Sequence, residues 1–394
     1  MAGAHTDPHV VELREELRAA TSFYSADYFA ARERFLAASA RLGLEQHALP
    51  IHAPSPREEP LTIDIAIAGA TKPRTALVLT SGVHGVEGLF GSAVQLALLE
   101  LDLLRWQLAT DAAVVLIHAV NPFGFAWRRR FNEENVDLNR NFLLRDERFS
   151  GAPPLAGKFR SAMKPSRPRA RYGFWTARMA LLALRHGMSS FWQTLPVGQY
   201  DYPDWLFFGG AAPTQSSQAL AAFLPTILGE AEEVAHLDFH TGLGRWAVGD
   251  LLVSESEGLD SCDWWLEHFG PSAVIKMKSH TQSYEVRGGF GPWLRALFPD
   301  CSYRYATAEF GTYSPMRVIG ALADELRWHG EIGTDDSNHI SRRHLAETFV
   351  PHSRSWRTKT LTTALEWSRH TANVLWGTPS STAVKLVTPT MQQS

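Results

Sequence analysis

The chain predicts an α/β fold: a mixed, largely parallel twisted sheet, flanked by helices on both faces and carrying an inserted helical or loop element. Three observations carry that reading. Residues 75–80 and 112–118 are short apolar, strand-type runs, and between them residues 89–104 are apolar at helical spacing. Strand, helix and strand in that order define a parallel βαβ unit. Two later strand-type runs, residues 233–242 and 303–312, each end in a polar tip. Open parallel sheets place their ligands at such carboxyl ends.

Composition narrows the function classes. A chain of 394 residues with 45% hydrophobic and 20% charged residues is ordinary for a globular protein of one large domain or two smaller ones. Its net charge of −3 supplies no field for nucleic acid or for an anionic membrane. Residues 1–17 mix His, Asp, Glu and Arg without an apolar core, which is unlike a secretory signal. No run reaches the roughly 18 apolar residues of a membrane span. Two cysteines, Cys262 and Cys301, make no disulfide framework, so reduced thiols and a cytoplasmic location are expected.

Taken in order, residues 1–25 read as an N-terminal extension, and residues 27–43 as a helix with Tyr28, Phe29, Phe35 and Leu36 on its apolar stripe. Residues 50–60 carry four prolines and read as a loop. Residues 61–67 alternate with period two, as a half-exposed strand does. The strand at 75–80 then runs into Ser81-Gly82-Val83-His84-Gly85-Val86-Glu87-Gly88. A His and a Glu three residues apart on a strand-to-helix turn can aim both side chains at one metal ion. The glycines let the backbone turn there. The same spacing also suits a solvated His beside a helix N-terminus that favours Glu.

The second parallel strand leads into Arg128-Arg129-Arg130 and then Asp137-Leu138-Asn139-Arg140-Asn141. Arginines interleaved with Asn and aromatics suit recognition of a carboxylate or a developing oxyanion, and equally a solvated basic loop. Residues 143–200 are the least regular part, with ten Lys or Arg between 145 and 185, and read as an inserted cover or subunit contact. Tyr200, Tyr202, Trp205, Phe207 and Phe208 follow as an aromatic, glycine-rich loop suited to lining a pocket.

In the strand at 233–242, period-two alternation puts His236, Asp238 and His240 on one face. His240, nearest the carboxyl end, is the best third metal ligand, and Asp238 suits a partner for a ligating imidazole. His236 reads as a core histidine. Thr241, beside His240, is a candidate for the substrate site. Glu309 stands near the carboxyl end of the strand at 303–312, where an acid is either a poised general base or half of a structural ion pair. Helices are expected over residues 315–328 and 356–376, and residues 379–394 read as a flexible tail.

In their order along the chain, His84-x-x-Glu87, Asp137-Leu138-Asn139-Arg140-Asn141, His240 and Glu309 resemble the zinc carboxypeptidase superfamily. That group includes metallocarboxypeptidases, succinylglutamate desuccinylase and aspartoacylase. A bacterial branch with Ser-Gly-x-His-Gly-x-Glu-Gly and Glu-Phe-Gly-Thr motifs is the most similar. The resemblance spans residues 28–328 and implies a single catalytic domain over residues 26–378, with an insertion at about 143–200. It implies one zinc ion held by His84, Glu87 and His240, with Glu309 as general base and acid. Asp137 would orient the first histidine, and Asn139 and Arg140 would grip a substrate carboxylate. Arg129 or Arg130 would steady the oxyanion. A substrate-capping tyrosine has one candidate, Tyr284. The implied reaction is hydrolysis of an amide beside a free carboxylate, in an N-acyl amino acid or a short peptide. The implied partner is therefore a small molecule rather than nucleic acid or membrane, and a homo-oligomer is compatible with it. A metal-binding member of the fold without catalysis is the rival of another class.

Overall fold

The computed structural model describes residues 17–101, 110–163, 181–182, 184–187, 194, 197–255, 258–277, 287–332 and 336–377. Helix α1 spans Tyr28–Arg41 and opens on Asp27, whose Oδ1 accepts the Ala30 amide at 3.0 Å, an N-cap. Strand β1, Glu45–Ile51, occupies a stretch whose mixed polar sequence gives no strand pattern. It is an edge strand, where Pro50 costs no ladder bond. Strand β2, Leu61–Gly69, is buried on both faces rather than half-exposed as its alternation suggests. The reason is tertiary. Arg32 of α1 reaches over its polar side, donating to Asp64 Oδ2 at 2.8 Å and Thr62 Oγ1 at 2.7 Å.

The central unit is as the sequence predicts. Strand β3 (Thr75–Ser81), helix α2 (Gly88–Glu100) and strand β4 (Ala112–His118) form a parallel βαβ. The chain continues through α3 (Pro122–Trp127), α4 (Ala156–Met163) and α5 (Gln215–Leu228) to β5 (Glu233–Gly242). Strand β6 (Gly249–Ser254), α6 (Leu259–Phe269), β7 (Val274–Met277) and α7 (Phe290–Leu297) precede β8 (Ser302–Gly311). Helices α8 (Pro315–Ile332), α9 (Ile340–Phe349) and α10 (Arg354–Trp376) follow.

The sheet runs β1-β2-β4-β3-β5-β8-β6-β7. Its centre, β4-β3-β5-β8, is parallel, and antiparallel pairings join β1 to β2, β2 to β4 and β6 to β8. One apolar core lies under α2, α6, α8, α9 and α10, and another under α3, α5 and α7. The chain goes from β3 to one neighbour, β4, and only later adds β5 on the other side. The strand order therefore reverses between β3 and β5, which opens a crevice at their carboxyl ends. No helix among the described residues is long and apolar enough to cross a membrane.

Candidate metal centre

Three chain segments meet at that crevice. After β3 the backbone turns at Gly82, whose φ of +67° favours glycine. At Gly85 a Cβ would lie 2.1 Å from the Gly124 carbonyl carbon, so only glycine fits against α3. The turn Gly85–Glu87 then receives its neighbours through the backbone. The amides of Gly85 and Val86 donate to the carbonyls of Arg130 and Arg129, at 3.2 and 2.7 Å. This fixes the arginine segment against His84 and Glu87. From the other side β5 presents His240, and β8 sets Glu309 directly opposite it in register.

The side chains of His84, Glu87 and His240 are buried and converge. His84 Nδ1 lies 2.9 Å from Glu87 Oε1, and His240 Nδ1 lies 3.0 Å from Glu87 Oε2. The two Nδ1 atoms are 3.1 Å apart. Behind each imidazole stands a carboxylate. His240 Nε2 is 2.6 Å from Asp238 Oδ2, which also accepts the Tyr305 hydroxyl at 2.7 Å. His84 Nε2 is 3.1 Å from Asp137 Oδ1.

The donor chemistry fits a metal. With its Nε2 proton on Asp238, His240 turns an Nδ1 lone pair toward a carboxylate oxygen and a second imidazole nitrogen. Lone pairs facing one another in a buried site repel unless a cation or a proton stands between them. Two imidazoles and a carboxylate are the ligand set of open, catalytic zinc sites. Outer carboxylates that hold the far ring nitrogens are the usual support.

The charge states agree with this. Burial opposes the charge on Glu87, yet the two histidines hold its carboxyl below the usual carboxylate range. Burial likewise opposes the charge on Asp137, and Arg130 and His84 override it to hold that carboxyl well below its ordinary value. For His240, burial disfavours the cation, but Asp238 and Glu87 raise its proton affinity well above the ordinary value. The same carboxylates that hold a proton there would hold a metal in its place. Glu309 goes the other way: burial, reinforced by the Glu87 charge, pushes its carboxyl up to about 7. Its Oε1 accepts the Leu243 amide at 2.8 Å.

The other expected residues separate. Arg130 reaches the centre, donating from Nε to Asp137 Oδ2 at 3.0 Å and from Nη1 to Glu87 Oε1 at 3.1 Å, with Nη2 2.7 Å from His84 Nε2. Arg129 does not. Its buried guanidinium turns away to Glu325 Oε1 at 2.7 Å, His329 Nε2 at 2.9 Å and Asn135 Oδ1 at 3.0 Å. Adjacent residues leave a bend in opposite directions, which spacing alone does not reveal. Thr241 also departs from expectation. Alternation turns its side chain to the face opposite His240, and its contribution is a backbone amide to Glu87 Oε2 at 3.1 Å.

Asn139 and Arg140 sit on the turn Leu138–Arg140, capped by Asp137 through the Asn139 amide at 3.1 Å. The Arg140 guanidinium is buried and donates from Nη1 to the Asn139 carbonyl at 2.6 Å. Tyr284 lies outside the described residues. His236 is a core histidine as read, bonded to Thr80 and Tyr303, and burial lowers its pKa to about 4.

Sequence reasoning marked the aromatic loop with Tyr200 and Phe207 as a pocket lining but missed that these groups enclose the arginines. The Tyr200 hydroxyl donates to the Arg140 carbonyl at 2.7 Å, and the Phe207 ring packs 5.4 Å from the Arg130 guanidinium. Residues 197–210 therefore wall the site, a role foreshadowed only by their aromatic and glycine content. Tyr305, four residues before Glu309, was also missed, although its position on the same strand face as Glu309 was open to the alternation argument.

A buried His-Glu-His cluster at the switch point of a mixed α/β sheet defines the molecule as one with a candidate metal centre. The chain belongs to the family described as "Protein of unknown function (DUF2817)", whose model matches residues 24–363. No curated protein matches it in sequence. Among solved structures it is similar to carboxypeptidase A from Helicoverpa armigera, with 12% identity, 92% of this chain and 81% of that one covered, and a TM-score of 0.46. It is also similar to a succinylglutamate desuccinylase from Silicibacter sp. TM1040, at 15% identity, 72% and 64% coverage and a TM-score of 0.38. A third is the murein-tripeptide amidase of Escherichia coli O157, at 18% identity, 73% and 93% coverage and a TM-score of 0.34.

Proposed function

We propose that this chain is a zinc-dependent hydrolase that cleaves an amide beside a free carboxylate in a small substrate, an N-acyl amino acid or related conjugate. The observation that carries the proposal is the facing of two imidazole nitrogens and a carboxylate within 3.1 Å, with Glu309 opposite His240 in register. His84, Glu87 and His240 would hold the ion. When bound, zinc polarises a carbonyl and acidifies water.

This chain's own groups supply the rest. Glu309, with a carboxyl poised near neutrality, accepts the proton of the attacking water and returns it to the leaving amine. Arg130 keeps Glu87, His84 and Asp137 in place and sets a positive charge beside the reacting carbonyl. Asn139 and Arg140 orient the substrate by its carboxylate. The walls at Tyr200 and Phe207 suit a small, enclosed substrate rather than a long polypeptide. A short peptide losing its last residue presents the same amide and carboxylate and is the second reading. Two free cysteines favour a cytoplasmic setting.

The deciding experiment is a mass-spectrometric hydrolysis screen with zinc-loaded protein. It offers N-acyl amino acids, dipeptides and matched versions with the carboxylate amidated. Cleavage confined to free acids is the expected result. Equal cleavage of the amidated set would remove the Arg140 role, and hydrolysis undiminished by a chelator would remove the metal.

A further inference from the structure

The turn that carries Arg140 is held from outside by a segment to which the proposed hydrolysis gives no step. Residues 199–209 fold on themselves around the Gln199 side chain. Its Oε1 accepts the Tyr202 amide at 2.7 Å, and its Nε2 donates to the Tyr202 carbonyl at 2.7 Å. The Gln199 amide donates to the Phe207 carbonyl and the Gly209 amide to the Gln199 carbonyl, at 3.0 and 2.8 Å. A loop packed on its own side chain moves as a unit.

That unit is fastened to residues 137–141 at three places. The Asp137 amide donates to the Phe208 carbonyl at 2.8 Å. The buried Asn141 side chain donates from Nδ2 to the carbonyls of Gly209 and Ala212, at 2.8 and 2.9 Å. Its Oδ1 accepts the Thr214 amide at 2.9 Å, the Thr214 hydroxyl at 3.0 Å and the Ser217 hydroxyl at 3.1 Å. Both amide hydrogens and the acceptor oxygen are thus spent on one neighbouring stretch of chain. The third fastening is the Tyr200 hydroxyl, which donates to the Arg140 carbonyl at 2.7 Å while the Arg287 guanidinium covers the ring at 4.6 Å. Gly198 completes the fit, because a Cβ there would lie 2.7 Å from Arg140 Cδ.

The direction of the Arg140 guanidinium depends on the backbone of this turn. Its Nη1 is bonded back to the Asn139 carbonyl, one peptide earlier, at 2.6 Å. A group that grips a substrate must be held to within about 0.5 Å of its productive place. Resting on the hydrolase reading, we infer that Tyr200 is a positioning residue that acts through Arg140. Its hydroxyl fixes the peptide from which the guanidinium reaches the substrate carboxylate, and Asn141 is the anchor that keeps the Tyr200 segment in place.

The test uses the zinc-loaded full chain, with an N-acyl amino acid and its carboxamide as the matched pair. Hydrolysis gives KM and kcat for the free acid. Calorimetry on a Glu309→Gln background compares binding of the acid and the carboxamide. Tyr200→Phe removes one hydroxyl from a packed ring. It should raise KM for the acid roughly three- to tenfold, the share of one buried hydrogen bond, with kcat and zinc content unchanged. The binding ratio of acid to carboxamide should fall by the same factor. Tyr28→Phe deletes another buried tyrosine-to-carbonyl bond, to Thr62, and as the control for lost stability should move neither. A lower melting temperature in Tyr200→Phe, with KM and the binding ratio as in the wild type, would overturn the inference. Equal binding of acid and carboxamide with Tyr200 intact would remove the Arg140 role, and the inference with it. If the acid is not cleaved, the hydrolase reading fails while the binding ratio still decides the role of Tyr200.

Discussion

Arg129 and Arg130 are neighbours in the chain, yet their guanidinium groups serve two different buried charge clusters. Around Arg129, donors meet acceptors: its three nitrogens are taken by Glu325, His329 and Asn135. Around Arg130 the accounts do not close. Glu87 faces two imidazole nitrogens, and His240 Nδ1, once its other nitrogen serves Asp238, meets that carboxylate and the second imidazole only across a proton or a cation. Burial and charge are common to both clusters. What separates them is the match of donor to acceptor: each Arg129 nitrogen meets an acceptor, as in a structural joint, whereas a surplus of acceptors awaits a cation.

The comparison can be broken most sharply at Glu309. Glu309→Gln should fold, keep its zinc and lose roughly 10²–10⁴ in kcat, the usual range for general acid–base catalysis. Full activity in that variant would return Glu309 to the structural class. Next come the two arginines. Arg129→Ala should destabilise the fold by about 3 kcal/mol, because it leaves the buried Glu325 carboxylate with only Arg342 at 3.6 Å, and should leave zinc stoichiometry at one. Arg130→Ala should instead reduce turnover by roughly 10²–10³. Denaturant melts and metal analysis on both variants separate the cases, and matching profiles would erase the distinction.

A smaller effect is expected behind the ligands. Asp238→Asn should weaken zinc binding roughly 10- to 100-fold, as removal of a ligand's outer partner does. Competition with a chelator measures it, and an unchanged affinity would sever Asp238 from the centre.

The last effect concerns pH. Burial, with Arg129 alongside, lowers the His329 pKa to about 3. Its ordinary value is about 6.5, so on acidification the unfolded chain takes the proton first. The stability this residue contributes is therefore fully present above about pH 6.5 and lost as pH falls toward 3, by at most about 1.4 kcal/mol per pH unit. Replacing His329 by Gln should flatten the acid limb of a stability–pH profile by that share. An unaltered limb would show that His329 is not held neutral.

The βαβ centre, the carboxyl-end location and the residues His84, Glu87, His240 and Glu309 were legible because each obeys a local rule. Apolar runs of strand and helix length set the elements, and alternation along β5 put His240 and Asp238 on one face. Elements without such a pattern were not legible. Strand β1 lacks alternation because its neighbour β2 supplies the hydrogen bonds that define it. The burial of β2 depended on Arg32 arriving from a helix some thirty residues earlier.

By itself, then, the sequence determined which residue types could hold a metal and on which strand ends they would stand, because periodicity and turn chemistry act over a few residues. The tertiary structure decided which of two adjacent arginines joins them and that Thr241 offers only its amide. It also decided that Glu309 stands opposite His240. Those outcomes depend on the direction each side chain takes from a bend and on the register between strands far apart in the chain. Both are set by the packing of the whole sheet.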